Sequence, residues 1–284
     1  MTKSYLSFLV ILSCALVNGG GCNFFTDVSV KNSDDAIIDD INNLVDKRLW
    51  YDAAQKLTLI SAAGKQRRDV KLLSAGVYAG KGGLDIIALI NALNANASSG
   101  TKTLFQELMT AFPGATAINY NDELTAQSYI FSISNNATLR TIDENIFMIF
   151  LEFAKLGTMI SELADTNHDT ILDPAFDNCS HAMVPDANAS EIIVGVAEIV
   201  QSLGAAGSSI AGTSLTAVTS VCNDPNVTAL GVCNTVDPST LPAAAQTQAY
   251  AFARTLLGEI PSGIGLKVPA NAVYVLQPAL NLCP

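Results

Sequence analysis

The chain has 284 residues, with 15 lysines and arginines against 26 aspartates and glutamates, which gives a net charge of −11. Charged residues make up only 14% of the chain and hydrophobic residues 49%, a balance that excludes an intrinsically disordered protein. The acidic balance also argues against a nucleic-acid-binding protein, which needs a basic face to displace counterions from phosphates.

Residues 1–21 are typical of an export signal. Lys3 supplies a positive start, and a nearly continuous apolar run follows over residues 5–17. The run is shorter than the roughly 20 residues of a membrane-spanning helix, but it suits the apolar core of a signal peptide. We therefore expect this segment to be removed on export.

Two cysteines compete as the site of lipid attachment. Cys14 has the better local match, Ile-Leu-Ser-Cys, but cleavage there would leave a short apolar run. Cys22 follows the full-length run, and Gly-Gly-Cys-Asn-Phe-Phe around it resembles the start of many bacterial lipoproteins. This resemblance implies acylation of Cys22, a tether over residues 22–33 and an anchor in the outer membrane on the periplasmic side. Asn23 points to the outer membrane because an aspartate there retains enteric lipoproteins in the inner membrane. The alternative is a secreted or cell-surface protein, cleaved near Gly20.

The number of cysteines favours Cys22 as the anchor. Of the six cysteines, four remain if Cys14 leaves with the signal peptide and Cys22 is acylated. An even number is what disulfide pairing in an oxidising compartment requires. An anchor at Cys14 would instead leave Cys22 as an odd thiol.

The four remaining cysteines predict two structural disulfides. Cys222 and Cys233 bracket a turn-rich segment, so a local disulfide between them is the first choice. Cys179 would then pair with Cys283 and pin the C-terminal segment onto the middle of the chain. A redox or metal site is the weaker alternative, because the sequence contains no Cys-x-x-Cys motif.

Helical signals begin directly after the tether. Ser33 is placed to cap a helix whose first turn carries two aspartates, and a second helix begins near Trp50. Several large or small residues then recur 34 positions later. The recurring pairs are Leu44 with Tyr78, Trp50 with Leu84, and Ala53 with Ile87.

A 34-residue period that joins two helices resembles the tetratricopeptide repeat, here over residues 34–95. The resemblance implies a concave surface for a peptide or partner protein, with Trp50, Tyr51 and Tyr78 as the candidate binding face. Ile87 departs from the motif, which usually has a small residue there. The alternative is an ordinary helical bundle with a chance spacing.

The rest of the chain, residues 96–284, predicts a further helical domain that could be continuous with residues 34–95. A linker is expected at 94–100. Helices are expected over 102–112, 121–134, 143–164, 192–221 and 243–258. The helix at 143–164 is apolar nearly all round, which places it in the core, and the segment 192–221 favours a buried helix broken near 204–212 over a membrane span. The expected fold class is therefore all-α.

One motif suggests metal chemistry. Oxygen-bearing side chains alternate along residues 165–177 at the spacing of an EF-hand-type calcium loop, which would bring them to one side of a tight turn. The predicted ligands are Asp165, Asn167, Asp169, the carbonyl of Ile171, Asp173 and Asp177. Thr170 replaces the usual turn glycine and Phe176 the usual glutamate, so we expect a weak structural calcium site. The alternative is a solvated acidic turn.

Catalysis is not expected. The chain has two histidines, His168 inside the acidic loop and His181 near Cys179, and it lacks the common nucleophile, zinc and phosphate-binding motifs. An enzyme would need His181 beside a buried serine or aspartate. We therefore expect a non-catalytic protein-binding or scaffold lipoprotein, held at the membrane by its anchor, with an unidentified protein partner and no nucleic acid.

The alternative function is a carrier of a small apolar or organic-acid ligand. A lipoprotein start combined with helical repeats and Ala/Gly-rich helices is similar to the periplasmic T-component lipoproteins of TRAP transporters. That resemblance rests on architecture and carries no binding residues over to this sequence. A carrier would need a cavity between the helices at 145–159 and 192–221.

Overall fold

The computed structural model describes residues 33–99, 103–207, 213–235, 237–258, 265–266 and 282–283. All the regular secondary structure in these ranges is helical, which confirms the all-α prediction. The α-helices are α1 (Asp34–Asp46), α2 (Trp50–Leu57), α3 (Arg68–Gly82), α4 (Ile86–Ser99), α5 (Leu104–Ala111), α6 (Ala117–Ile133), α7 (Ile142–Ala164), α8 (Asp186–Ala206), α9 (Thr213–Cys222), α10 (Pro225–Leu230) and α11 (Ala243–Leu257).

Helix α7 forms the centre of the molecule, as its apolar sequence predicts. It packs against α5, α6 and α8, and its side chains are buried along most of its length. Thr141 caps it: the Thr141 Oγ1 atom accepts from the Glu144 backbone N–H at 3.3 Å, and Glu144 Oε2 accepts from the Thr141 N–H at 2.7 Å. This reciprocal capping box fixes where the helix begins.

The apolar core consists of three clusters. The first joins α1, α2 and α3; the second joins α3, α6 and α7; the third and largest fills the space between α5, α7, α8 and α11. Helix α3 belongs to the first two clusters and packs along α6. The predicted repeat region is therefore joined to the later helices by side-chain packing.

The two predicted repeat pairs differ from each other. Helices α1 and α2 pack against each other, but α3 and the first turns of α4 meet at a bend of 66°. Gly83, with a φ of 106°, ends α3 in the left-handed conformation that glycine adopts without strain. The expected linker at 94–100 is also wrong in part, because α4 continues to Ser99; its alanines favour helix.

The segment 192–221 is divided as expected. Helix α8 ends at Ala206, and α9 begins at Thr213. In the described part of the chain, α8 is the single continuous helix long and apolar enough to cross a membrane, and 61% of its most apolar window is buried inside the protein. The bent pair of α3 and α4 would meet the same length and hydropathy criteria only if it acted as one span.

Candidate functional site

Two residues of the predicted binding face, Tyr51 and Tyr78, lie close to the side-chain ammonium of Lys81. The Lys81 Nζ atom lies 5.2 Å from the centre of the Tyr51 ring and 5.6 Å from the centre of the Tyr78 ring. These distances suit cation–π interactions. Asp122 on α6 completes the surroundings of Lys81 with an ion pair of 2.8 Å. The hydrogen bond that Lys81 donates to Asp122 raises the pKa of Lys81, so the ammonium group stays charged.

Packing against α3 and α6 orders the aromatic rings. The Tyr78 ring stacks on Tyr129 of α6 with 5.8 Å between ring centres. The indole of Trp50 lies directly on the backbone of α3, since a Cβ built on Gly80 would be 2.6 Å from it. Tyr51, in contrast, is 64% exposed. The face therefore combines two rings that pack against other helices, Trp50 and Tyr78, with one ring that is exposed to solvent, Tyr51.

Exposed aliphatic side chains lie on the elements that meet near the same bend. Leu49 precedes the two aromatic residues of α2, Ile87 lies in the first turn of α4, and Ile118 lies in the first turn of α6. Their exposed fractions are 44%, 68% and 65%. We call this surface the bend face. It consists of Leu49, Trp50, Tyr51, Tyr78, Lys81, Ile87 and Ile118.

Local polar contacts hold the bend face together. Asp85 caps α4, because its Oδ1 atom accepts from the backbone N–H groups of Ile87 and Ala88 at 3.0 and 3.1 Å. Its Oδ2 atom lies 3.1 Å from Arg48 Nη1, which ties the turn before α2 to the bend. One short acidic side chain thus fixes both the start of α4 and its position beside α2.

A network of buried charges lies in the interior between α6, α7 and α8. Lys155 is fully buried, and its Nζ atom lies 2.8 Å from Glu152 and 2.8 Å from Glu191. Gln127 donates to Glu152 at 2.9 Å. Burial opposes the charge on Lys155, but the two carboxylates together raise its pKa. Lys155 is therefore charged and joins α7 to α8 through its ion pair with Glu191.

The sequence predictions missed these charges. The helix at 143–164 is expected to be apolar nearly all round, yet it carries the fully buried Glu152 and Lys155. The signal was present: two opposite charges three positions apart inside an apolar run form an ion pair within one helix. The cavity expected there for a carrier is also not favoured by the packing. A Cβ built on Gly195 of α8 would lie 3.1 Å from the Leu156 side chain of α7.

The acidic loop after α7 is wound by hydrogen bonds to its own backbone. Asp165 accepts from the N–H groups of Asp169 and Thr170, both at 2.9 Å. Asn167 accepts from the Asp169 N–H at 3.1 Å, and Asp169 from the Ile171 N–H at 2.8 Å. Thr170, which replaces the turn glycine, has a φ of 66°. These side chains thus lie in one tight turn.

The later predicted calcium ligands serve local contacts. Asp173 accepts a hydrogen bond from the Thr166 N–H at 2.9 Å and a second one from the Thr166 hydroxyl. Asp177 accepts from the Cys179 N–H at 3.0 Å. In the described ranges, no three or more His, Cys, Asp or Glu side chains are grouped closely enough to hold a metal ion. The calcium site stays a prediction.

Both predicted cysteine pairs lie at disulfide-bonding distance. The sulfur atoms are 1.98 Å apart in Cys179–Cys283 and 1.95 Å apart in Cys222–Cys233. The first pair joins residues 104 positions apart and holds the chain at 282–283 against α11. Cys22 and Cys14 lie outside the described residues.

A cleft of about 340 Å³ opens beside the long-range disulfide. Its wall includes His181, Asp186, Tyr250 and Arg254. The His181 Nδ1 atom lies 3.5 Å from Asp186 Oδ1, and the same carboxylate oxygen accepts from the buried Arg254. Asp186 is exposed, so the buried acid that an enzyme was expected to need beside His181 is not the residue found there.

No protein-family model, curated protein or solved structure matches this chain. The chemistry of the bend face, the acidic loop and the cleft therefore has to suggest the function.

Proposed function

We propose that this chain is a non-catalytic binding protein that docks a partner protein on the bend face. The observation that carries the proposal is that Tyr51 and Tyr78 lie around Lys81, with exposed apolar side chains on the helices that meet at this bend. Exposed apolar patches of this kind mark interaction sites, and tyrosine and tryptophan are enriched at protein interfaces. Rings that are fixed before binding lose little conformational freedom on association.

Paired substitutions test partner docking. Tyr51→Ser combined with Ile87→Ser removes two exposed side chains of the bend face, whereas Ile171→Ser changes a side chain that is equally exposed, at 65%, but lies in the acidic loop. After affinity purification from the native host, we expect the amount of co-purified partner to be at least about tenfold lower for the first variant than for the parent. Tenfold weaker binding corresponds to about 1.4 kcal/mol. The Ile171→Ser variant should retain it. Equal retention by both variants would contradict the proposal.

We further propose that the protein works as a lipid-anchored lipoprotein on the periplasmic side of the outer membrane, attached through Cys22. The export-type first 21 residues and the two disulfides support this compartment, since disulfides persist where the surroundings are oxidising. Labelling with a radioactive fatty acid tests it. Cys22→Ala should abolish labelling, and labelling that is lost only in Cys14→Ala would move the anchor.

For the first helix pair we propose a tetratricopeptide-like role as one side of the partner site. Ala53, Leu57 and Ile60 stand at the packing positions of that motif, and all three are buried. Helices α3 and α4 meet at a bend of 66°, and we place the other side of the partner site at this bend.

For the acidic loop we propose that calcium braces the turn after α7. The support is the winding of the loop, in which Asp165, Asn167 and Asp169 each accept hydrogen bonds from backbone N–H groups of the turn. Calcium should raise the melting temperature of the parent chain. Asp169→Ala should erase that rise, whereas Asp224→Ala, an acidic change outside the loop, should keep it. A parent that gains nothing from calcium would contradict this role.

The second candidate function is that of a small-molecule carrier, and the cleft beside Cys179–Cys283 favours it. The Arg254 guanidinium, which forms part of the cleft wall, donates to the Val184 carbonyl and to Asp186. A guanidinium on a cleft wall suits the carboxylate of an organic acid. Native mass spectrometry of the purified chain tests this function. A bound organic mass that disappears in His181→Ala would support the carrier, and an empty protein would contradict it.

A further inference from the structure

Glu123 occupies an unusual position in the interior beneath the bend face. Its side chain is fully buried, and Oε1 accepts a hydrogen bond from Thr158 Oγ1 at 3.1 Å. The other oxygen, Oε2, has no hydrogen-bond partner among the described residues. Gly82 closes the site from α3, since a Cβ built on it would lie 2.6 Å from the Cγ atom of Glu123. An ionised carboxylate here would keep one oxygen without a donor.

The buried lysine on α7 does not neutralise Glu123. Lys155 lies 2.8 Å from each of two other carboxylates, Glu152 on its own helix and Glu191 on α8. Its single positive charge therefore already faces two negative charges. Glu152 also repels a negative charge on Glu123. With Glu123, this interior network contains three carboxyl groups and one cation, so two carboxyl groups exceed what the cation can balance.

The nearest cation on α3 is also in use. Lys81 lies 2.8 Å from Asp122, the residue that precedes Glu123 on α6, and this pair forms part of the bend face. Asp122 adds further repulsion to a charge on Glu123. The charged neighbours contributed by α3, α6, α7 and α8 thus either repel Glu123 or are bound to another acid.

We propose that Glu123 carries a proton in the folded protein, and that loss of this proton to solvent at alkaline pH opens the contact between α3 and α6 beneath the bend face. A carboxylate that forms against Gly82 needs a donor or water, and the contact between the two helices must separate to supply one. The bend face lies on those helices, so the geometry of its aromatic rings becomes sensitive to pH. This inference goes beyond partner docking, because it requires no partner.

The electrostatic direction agrees with the geometry. Burial raises the pKa of Glu123 well above its usual range, against the weaker opposing effects of Thr158 and Lys155. A carboxyl whose pKa is higher in the folded than in the unfolded state contributes stability that is complete below the unfolded value. That contribution is lost as the pH rises toward the folded value.

Urea unfolding of the full chain between pH 5 and pH 9 tests the proton on Glu123. Glu123→Gln keeps the shape of the neutral acid and cannot ionise. With rising pH, we expect the urea midpoint of the parent to fall relative to that of Glu123→Gln. If the glutamine variant does not fold, Glu123→Met serves in its place. Parallel curves for parent and variant would overturn the proposal.

Trp50 reports on the opening. It is the single tryptophan of the chain and packs on Gly80, next to Lys81. Its fluorescence in the parent should change over the same pH range and stay constant in Glu123→Gln. Glu198→Gln is the control. Burial also raises the pKa of the Glu198 carboxyl, to about 7, but Glu198 lies on α8 and not on α3 or α6. This variant should retain the change. Identical emission in parent and Glu123→Gln, or a change that only Glu198→Gln removes, would overturn the coupling.

Discussion

At the residue scale, two glycines of α3 differ in what lies over them. A Cβ on Gly80 would meet the Trp50 ring at 2.6 Å, whereas a Cβ on Gly76 would meet nothing within 4 Å. Both residues lie inside the same helix, where alanine is intrinsically the better residue by about 1 kcal/mol. The difference between the two sites therefore isolates the contact with the indole.

Alanine substitutions at these glycines should have opposite effects. Gly80→Ala should destabilise the chain by about 1–3 kcal/mol, the usual cost of overpacking, and Gly76→Ala should stabilise it by up to about 1 kcal/mol. Urea unfolding measures both. In a Trp50→Ala background the penalty of Gly80→Ala should disappear, because the colliding ring is gone. Equal effects at the two glycines would mean that the indole does not lie on α3.

At the element scale, the start of α7 depends on Glu144. Its carboxylate accepts from the Thr141 N–H and also binds Arg68 of α3, with a distance of 2.7 Å to Nε. The hydrogen bond from Arg68, helped by Thr141, lowers the pKa of Glu144. A carboxyl with a lowered folded pKa contributes stability above its unfolded value and loses it as the pH falls.

Glu144→Gln should therefore be most harmful near neutral pH. We expect a loss of about 1–2 kcal/mol at pH 7, reduced from the full strength of a charged hydrogen bond because Arg68 is half exposed. The loss should shrink as the pH falls to about 3, where the parent carboxyl is itself protonated. The exposed neighbour Asp143, changed to asparagine, is the control and should cost under about 0.5 kcal/mol. A loss that is constant with pH would contradict this role.

The sequence predicts those elements that local signals define. Ser33 does cap α1, with its Oγ accepting from the Ala36 N–H at 3.2 Å, and the capping box at Thr141 starts the central helix. The break after α8 also follows local composition. The repeat period predicts a turn between two helices near Gly82, but the angle of 66° between α3 and α4 does not follow from it, because short-range patterns do not contain the packing of α3 along α6.

The candidate site was predictable only in part, for the same reason. Trp50, Tyr51 and Tyr78 could be selected from spacing, since aromatic residues at a repeat period suggest a shared surface. Lys81 and Asp122 could not, because they are 41 positions apart and meet only in the folded chain. The buried carboxyl groups were not predicted, because a helix in which most side chains are apolar gives no local sign that its few charged side chains are buried as well.

At the scale of the whole molecule, the two disulfides constrain the chain unequally. Cys179–Cys283 closes a loop of 104 positions and Cys222–Cys233 a loop of 11. In the chain-entropy model, the stabilisation grows with loop length, to about 5 kcal/mol for the long loop and about 3 kcal/mol for the short one.

Replacement of each cysteine pair by serine tests this ranking. The Cys179→Ser/Cys283→Ser variant should lose more stability than the Cys222→Ser/Cys233→Ser variant, as measured by thermal unfolding without reductant. It should also alter the cleft beside His181, because Cys283 forms part of its wall. A larger loss from the short loop would show that local packing, and not loop closure, dominates.

The most direct test of the account is site-specific photo-crosslinking in the native host. A photoreactive amino acid replaces Tyr51 or Ile87 of the bend face, and Leu59 or Ile171 as exposed controls with exposed fractions of 62% and 65%. We predict that positions 51 and 87 yield the same discrete crosslinked species, and that the two controls do not. Absence of that species at the bend face, or its equal formation from all four positions, would contradict the proposal that this surface binds the partner.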